Sequence, residues 1–128
     1  MTFRYFRRIK FYETDAMGIV HHAIYLHLFE DARVELLREN GFLAQKSLDQ
    51  INYPLLDSQV SYKKPLYFDD EVEVLVTLTS DQLRLSFQYE IKTKRYPEPA
   101  AFGKTTHVAM DMKTRQPIRL PDVLKNLS

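Results

Sequence analysis

Cysteine is absent from this chain, which excludes disulfides, thiolate zinc sites and cysteine nucleophiles. An excess of either charge is also missing. Eighteen Lys and Arg stand against seventeen Asp and Glu, so bulk charge gives no reason to expect a nucleic-acid partner. No run approaches eighteen apolar residues. The opening stretch "MTFRYFRRIKF" is locally basic but alternates polar with apolar residues, so it reads as neither a secretory signal nor a membrane span. These absences lead to the expectation of a cytoplasmic protein without stable membrane insertion.

What is present is ordinary globular material: 45% hydrophobic residues, with eight Tyr and eight Phe among 128 residues. That length suits one domain, 1–128, burying roughly two-thirds of its unfolded surface. No repeat, low-complexity tract or linker divides it. Residues 3 to 11 read as a strand, with Phe3, Tyr5, Ile9 and Phe11 on one face. One long helical pattern follows, at about 22 to 39, where Tyr25, Phe29, Ala32 and Leu36 keep helical spacing and Leu28 widens the stripe. Asn40-Gly41 stops it. A loop or short turn is expected over 42 to 52, then strands near 55 to 62, 71 to 79 and 83 to 91. The last two are close enough for a hairpin over Ser80-Asp81-Gln82. "YPEPAAFG" reads as a loop, a final strand covers about Lys104 to Met112 and resumes at Ile118, and Pro121 opens a short terminal helix. The order strand, helix, four strands predicts an α+β domain whose antiparallel sheet packs on one helix. The sheet's leftover edges favour self-association.

The densest chemistry lies in "YETDAMGIVHHAIYLHLFEDAR", residues 12 to 33. A metal site needs ligands on one helical face. His22 and His27 are five apart, and His21 and His27 six, so neither pair converges. His27 with Glu30 is correctly spaced, but two ligands do not make a site. His27 opposes the apolar stripe. Glu30, Asp31, Arg33, Glu35, Arg38 and Glu39 read mostly as solvent-face charges, with Glu35 and Arg38 paired at i+3. Asp15 and His22 differ, because "DAMGIV" puts a carboxylate in a loop that turns at Gly18 and enters the helix near residue 21 or 22. The first amides of a helix lack intrahelical acceptors and carry the positive end of its dipole. A carbonyl oxygen held there is polarised, and the oxyanion formed on attack is stabilised further. A nearby carboxylate attacks the carbonyl carbon or deprotonates a water. An Asp of ordinary pKa is a weak base, so the arrangement suits an activated acyl group, a thioester better than an amide.

"FYETDAMGIVHHAIYLHLFEDAR" strongly resembles the signature of hotdog-fold acyl-CoA thioesterases of the 4-hydroxybenzoyl-CoA thioesterase and YbgC type, with Asp15, Gly18, Ile19, Val20, His22, Tyr25, Glu30 and Ala32-Arg33 in register. "YKKPLYFDDEVEV" (62 to 74) also looks like that family's second-strand stretch. The resemblance implies a hotdog fold of about five strands around one long helix, and hydrolysis of acyl-CoA or acyl carrier protein thioesters. It implies Asp15 as nucleophile or general base, and His22 with its backbone N–H on the thioester oxygen and its imidazole assisting. Gly18 would allow the turn and close substrate approach. No cofactor is implied, since coenzyme A is part of the substrate. Lys63 and Lys64 would meet its phosphates. His21 stands where an aromatic such as Tyr is expected. Hotdog subunits pair into dimers, often tetramers, with active sites between subunits. A hydratase on the same fold is the second reading, but that class places Asn-Pro between its Asp and His, and "DAMGIVHH" has neither. A non-catalytic acyl-CoA-binding module is the third, and the intact Asp15 counts against it.

Overall fold

The computed structural model describes residues 2–42 and 50–127. Its elements are β1 (Thr2–Arg8), α1 (Ile24–Glu39), β2 (Ile51–Asn52), β3 (Leu55–Tyr62), β4 (Glu71–Ser80), β5 (Arg84–Thr93), β6 (Ala101–Asp111), β7 (Pro117–Ile118) and α2 (Asp122–Lys125). Five long strands form an antiparallel sheet in the order β1-β4-β5-β6-β3, and the two-residue strands β2 and β7 pair with the end of β6. This is the expected α+β arrangement of a sheet around one long helix.

Alternation places Val72, Val74, Val76 and Leu78 of β4, and Leu85, Phe87, Tyr89 and Ile91 of β5, on one buried face. Against it lies the α1 stripe of Tyr25, Leu28, Phe29, Ala32 and Leu36, also buried. Each fully buried side chain of this size contributes about 1.5–3 kcal/mol through apolar burial. The 80–82 hairpin forms as expected, with the Asp81 carboxylate accepting the N–H groups of Leu83 and Arg84. Pro121 precedes α2, and Glu35 and Arg38 pair on α1.

Four expectations change. β1 ends at Arg8, and Phe11 enters a short 3₁₀ turn, Phe11–Glu13, where it is exposed. The turn is stabilised locally, because the Glu13 carboxylate accepts the Lys10 N–H at 2.8 Å. Helix α1 begins at Ile24 rather than 22, because His21 takes the first amides: its carbonyl accepts from Ile24 and its Nδ1 from Ala23. Residues 101–103, expected in a loop, belong to β6. Ile118 does not extend β6. It lies in β7, which turns back to pair antiparallel with β6 after Arg115 at φ +60°. The expected turn over 42 to 52 lies largely outside the described residues.

Gly103 is in β6 because the helix lies against it. A Cβ there would stand 2.2 Å from Phe29 Cε2, and the Phe29 ring stacks on Tyr89 with centroids 4.4 Å apart. Beneath the helix runs a buried polar chain. Arg33, expected on the solvent face, instead donates from Nη1 to the Tyr89 hydroxyl at 3.0 Å. That hydroxyl is 2.7 Å from Thr105 Oγ1, which is 3.1 Å from His107 Nε2. Packing draws the long guanidinium stem inward, and the chain satisfies the buried polar atoms. Burial, assisted by the Arg33 charge, holds the His107 imidazole below its ordinary pKa of 6.5.

Gly103→Ala is expected to lower stability by about 1–3 kcal/mol through overpacking. Adding Phe29→Leu should recover part of the loss, which a double-mutant cycle of denaturant unfolding would measure. Below pH 6.5 the unfolded chain takes a proton on residue 107 that the folded chain resists. Stability should therefore fall as pH drops through that value, and His107→Gln should flatten the slope in melting experiments.

Candidate active site

The segment between β1 and α1 is fixed at both ends before its loop begins. Glu13, 5% exposed, is ion-paired to Arg7 of β1, and its carbonyl accepts the His21 N–H at 2.9 Å. Thr14 bridges to Val20, and the Val20 N–H donates to the Leu66 carbonyl at 2.8 Å. Between these clamps residues 15 to 19 make a closed turn. The Asp15 N–H donates to the Ile19 carbonyl at 2.8 Å, and the Gly18 N–H to the Asp15 carbonyl at 3.0 Å. Gly18 sits at φ +80°, a conformation that side chains other than glycine's adopt at a cost. Space around it is open, with nothing within 4 Å of an added Cβ.

The Asp15 side chain is half-buried. Its Oδ1 accepts the Met17 N–H at 2.8 Å, which fixes the carboxylate's direction. Oδ2 has no partner among the described residues. Asp15 lines a cleft of about 420 Å³ together with Met17, Ile19, Val20, His22, Tyr25, Tyr62, Lys63, Lys64 and Pro65. Four of the residues singled out from the sequence, Asp15, His22, Lys63 and Lys64, thus share one hollow, while Gly18 shapes the loop behind it.

His22 lies in the turn just before α1. Its backbone N–H meets no acceptor among the described residues, while its carbonyl accepts the Tyr62 hydroxyl at 3.1 Å. Its ring stacks on His21, centroids 4.1 Å apart. His21, at the position where an aromatic was expected, therefore supplies a flat partner for His22 and caps the helix. His27 is exposed on the outer face of α1 and lies away from this cleft. No group of three potential metal ligands stands together among the described residues.

Sequence reasoning missed Tyr62. Its ring packs edge-on against Tyr25, 4.9 Å between centroids, and the two close one wall of the cleft. Burial pushes the Tyr25 phenol up to about 12, so it stays neutral. An exposed aromatic at the end of a strand is the only signal that pointed there. Glu13 was visible in the motif, but its role as a buried anchor needed Arg7 to arrive from β1. Chemically, among the described residues, the arrangement offers a carboxylate with one free oxygen and an unengaged amide before the helix, on residues that line one largely apolar cleft. Two ammonium groups stand at the mouth.

Residues 9–127 match the model of the thioesterase-like superfamily. A structurally characterised hypothetical protein from Aquifex aeolicus is 37% identical, with a TM-score of 0.88 over 98% of this chain and 99% of that one. A DHNA-CoA thioesterase from Staphylococcus aureus is 30% identical, with a TM-score of 0.84 over 93% of this chain and 80% of its own. A 1,4-dihydroxy-2-naphthoyl-CoA hydrolase from Picosynechococcus is 28% identical over 98% of this chain and 90% of its own length. With its long α1 wrapped by the antiparallel sheet and its Asp15 turn at the helix entrance, the chain belongs to the thioesterase-like superfamily and has the hotdog fold.

Proposed function

We propose that this protein hydrolyses acyl-CoA thioesters to the free acid and coenzyme A in the cytoplasm, with Asp15 as the catalytic carboxylate. The observation that carries the reading is the meeting on one cleft of Asp15, whose Oδ2 has no partner among the described residues, and His22, whose amide meets no acceptor among them. The thioester carbonyl oxygen lies on the His22 N–H. Asp15 Oδ2 either takes a proton from water, whose oxygen adds to the carbonyl carbon, or adds itself to form an anhydride that water then opens. In both routes the oxyanion is stabilised at the helix entrance, where one donor is worth about 3–4 kcal/mol. Its collapse breaks the C–S bond; in the first route the sulfur takes the proton that Asp15 removed from water, and in the second the thiolate leaves and is protonated by solvent before water opens the anhydride. No resident metal or cofactor enters these steps. Lys63 and Lys64, exposed at the mouth, are assigned to the phosphates of coenzyme A.

Self-association belongs to the same reading. Among the described residues β3 is an edge strand, paired only with β6 and exposed along nearly its whole length. It carries Leu55, Leu56 and Tyr62 at 50% exposure or more. A second copy adding its own β3 would extend the sheet and cover this edge. Tyr62 belongs both to β3 and to the cleft wall, so the dimer would complete the site, and two dimers pairing would give a tetramer.

Thiol release over a panel of acyl-CoAs should show activity that Asp15→Asn and Asp15→Ala each reduce by about 10²–10⁴ in kcat. Undiminished turnover in both variants would refute the assignment. Light scattering should report a dimer or tetramer. The double variant Leu55→Lys/Leu56→Lys should shift it to monomer and cut activity in parallel.

A further inference from the structure

His22 is joined to its neighbours by two peptide groups, and hydrogen bonds hold both of them. The first peptide runs from the His21 carbonyl to the His22 N–H, and its carbonyl accepts the Ile24 N–H at 2.9 Å. The second runs from the His22 carbonyl to the Ala23 N–H, and both of its polar ends are taken by side chains. The Tyr62 hydroxyl donates to the carbonyl at 3.1 Å, and the N–H donates to His21 Nδ1 at 3.1 Å. A peptide group is planar, so holding both of its ends fixes its orientation. Of the four polar ends, the His22 N–H alone meets no acceptor among the described residues. The two side chains that hold the second peptide come from outside α1. His21 is exposed, stacks on the His22 ring with centroids 4.1 Å apart, and is itself tied by its N–H to the Glu13 carbonyl. Accepting through Nδ1 requires the neutral tautomer with its proton on Nε2. Tyr62 closes β3, with its ring edge-on against Tyr25 and half of its surface exposed. Neither side chain fills the core.

We propose that the His21 imidazole and the Tyr62 hydroxyl are positioning residues that act together on the His22 peptides and aim the free N–H at the thioester oxygen. Neither touches the reacting atoms. A donor set in place beforehand needs no reorganisation as charge develops on the oxygen, whereas a hydrogen bond weakens steeply once its angle closes. The two bonds supply that presetting, one from the β1–α1 crossing and one from the edge strand. The inference rests on the thioesterase reading and adds to it the means by which the oxyanion donor is held.

Steady-state hydrolysis of an acyl-CoA by the full chain tests it. Tyr62→Phe keeps the ring and removes the donor, and should lower kcat about tenfold to a hundredfold with KM near wild type. His21→Ala should do the same. His21→Asn should recover most of the loss, because an asparagine oxygen accepts the N–H two residues on. Hydrogen exchange at the Ala23 amide should quicken in His21→Ala and slow again in His21→Asn. Both side chains hold one peptide, so the double variant Tyr62→Phe/His21→Ala should lose less than the product of the single losses. Melting temperatures should stay near wild type, since both positions are exposed. An unchanged kcat in Tyr62→Phe would overturn the inference, as would equal losses in His21→Ala and His21→Asn, or losses confined to KM. Any of these beside an inactive Asp15→Asn would leave the hydrolase reading standing. A wild type that hydrolyses no acyl-CoA would remove both.

Discussion

The placement of α1 depends on a phenyl ring resting on a glycine. Phe29 meets the β6 backbone at Gly103 more closely than any Cβ would permit, and Tyr89 covers the ring's face. Interiors are packed densely enough that such a contact fixes distance as well as adhesion. Four residues earlier on the same helix face is Tyr25, which meets Tyr62. The sheet register repeats the spacing, because Val60 pairs with Gly103 and Tyr62 with Ala101. The helix therefore meets β6 and then the edge strand β3 in two successive contacts, and the second is a wall of the cleft. The height of the helix on the sheet and the width of the cleft are set together.

The entrance to the helix is governed by a different kind of interaction. Glu13 is a buried carboxylate, which is tolerated because Arg7 neutralises it and the Lys10 amide occupies one oxygen. Leaving such a charge without its partner would be strongly unfavourable, so β1, the 3₁₀ turn and His21 are bound into one unit. The loop that carries Asp15 spans a gap whose ends cannot drift apart. Its closed hydrogen bonds and the left-handed Gly18 then aim the carboxylate without any contribution from the apolar core. The Arg33-Tyr89-Thr105-His107 chain does similar work beneath the helix, where it satisfies polar groups that packing has taken out of water.

The candidate site residues concentrate where the sheet ends. Asp15 and His22 come from the crossing between β1 and α1, while Tyr62 and the two lysines come from the end of the edge strand β3. Rigid elements bring these side chains to one rim, beside the exposed edge of β3.

Much of this was legible in the linear chain, because hydrophobic periodicity is set by local geometry. The alternation in 71 to 79 and 83 to 91 could be satisfied only by half-buried strands, and the Tyr25-Phe29-Ala32-Leu36 stripe only by a helix with one buried face. Glycine 18 and the spacing from Asp15 to His22 marked the turn that brings a carboxylate to a helix entrance. What the chain left undecided depends on partners distant in sequence. Residues 101–103 looked like loop beside two prolines until Phe29 explained the glycine. Arg33 looked solvated until Tyr89 offered it an acceptor, and Glu13 looked like one more polar residue until Arg7 reached it. Tyr62 gained its place only from the pairing of β3 with β6. Local spacing determined which elements form and which residues are candidates for the chemistry. Their convergence on one cleft was decided by contacts between segments tens of residues apart, which no local pattern encodes.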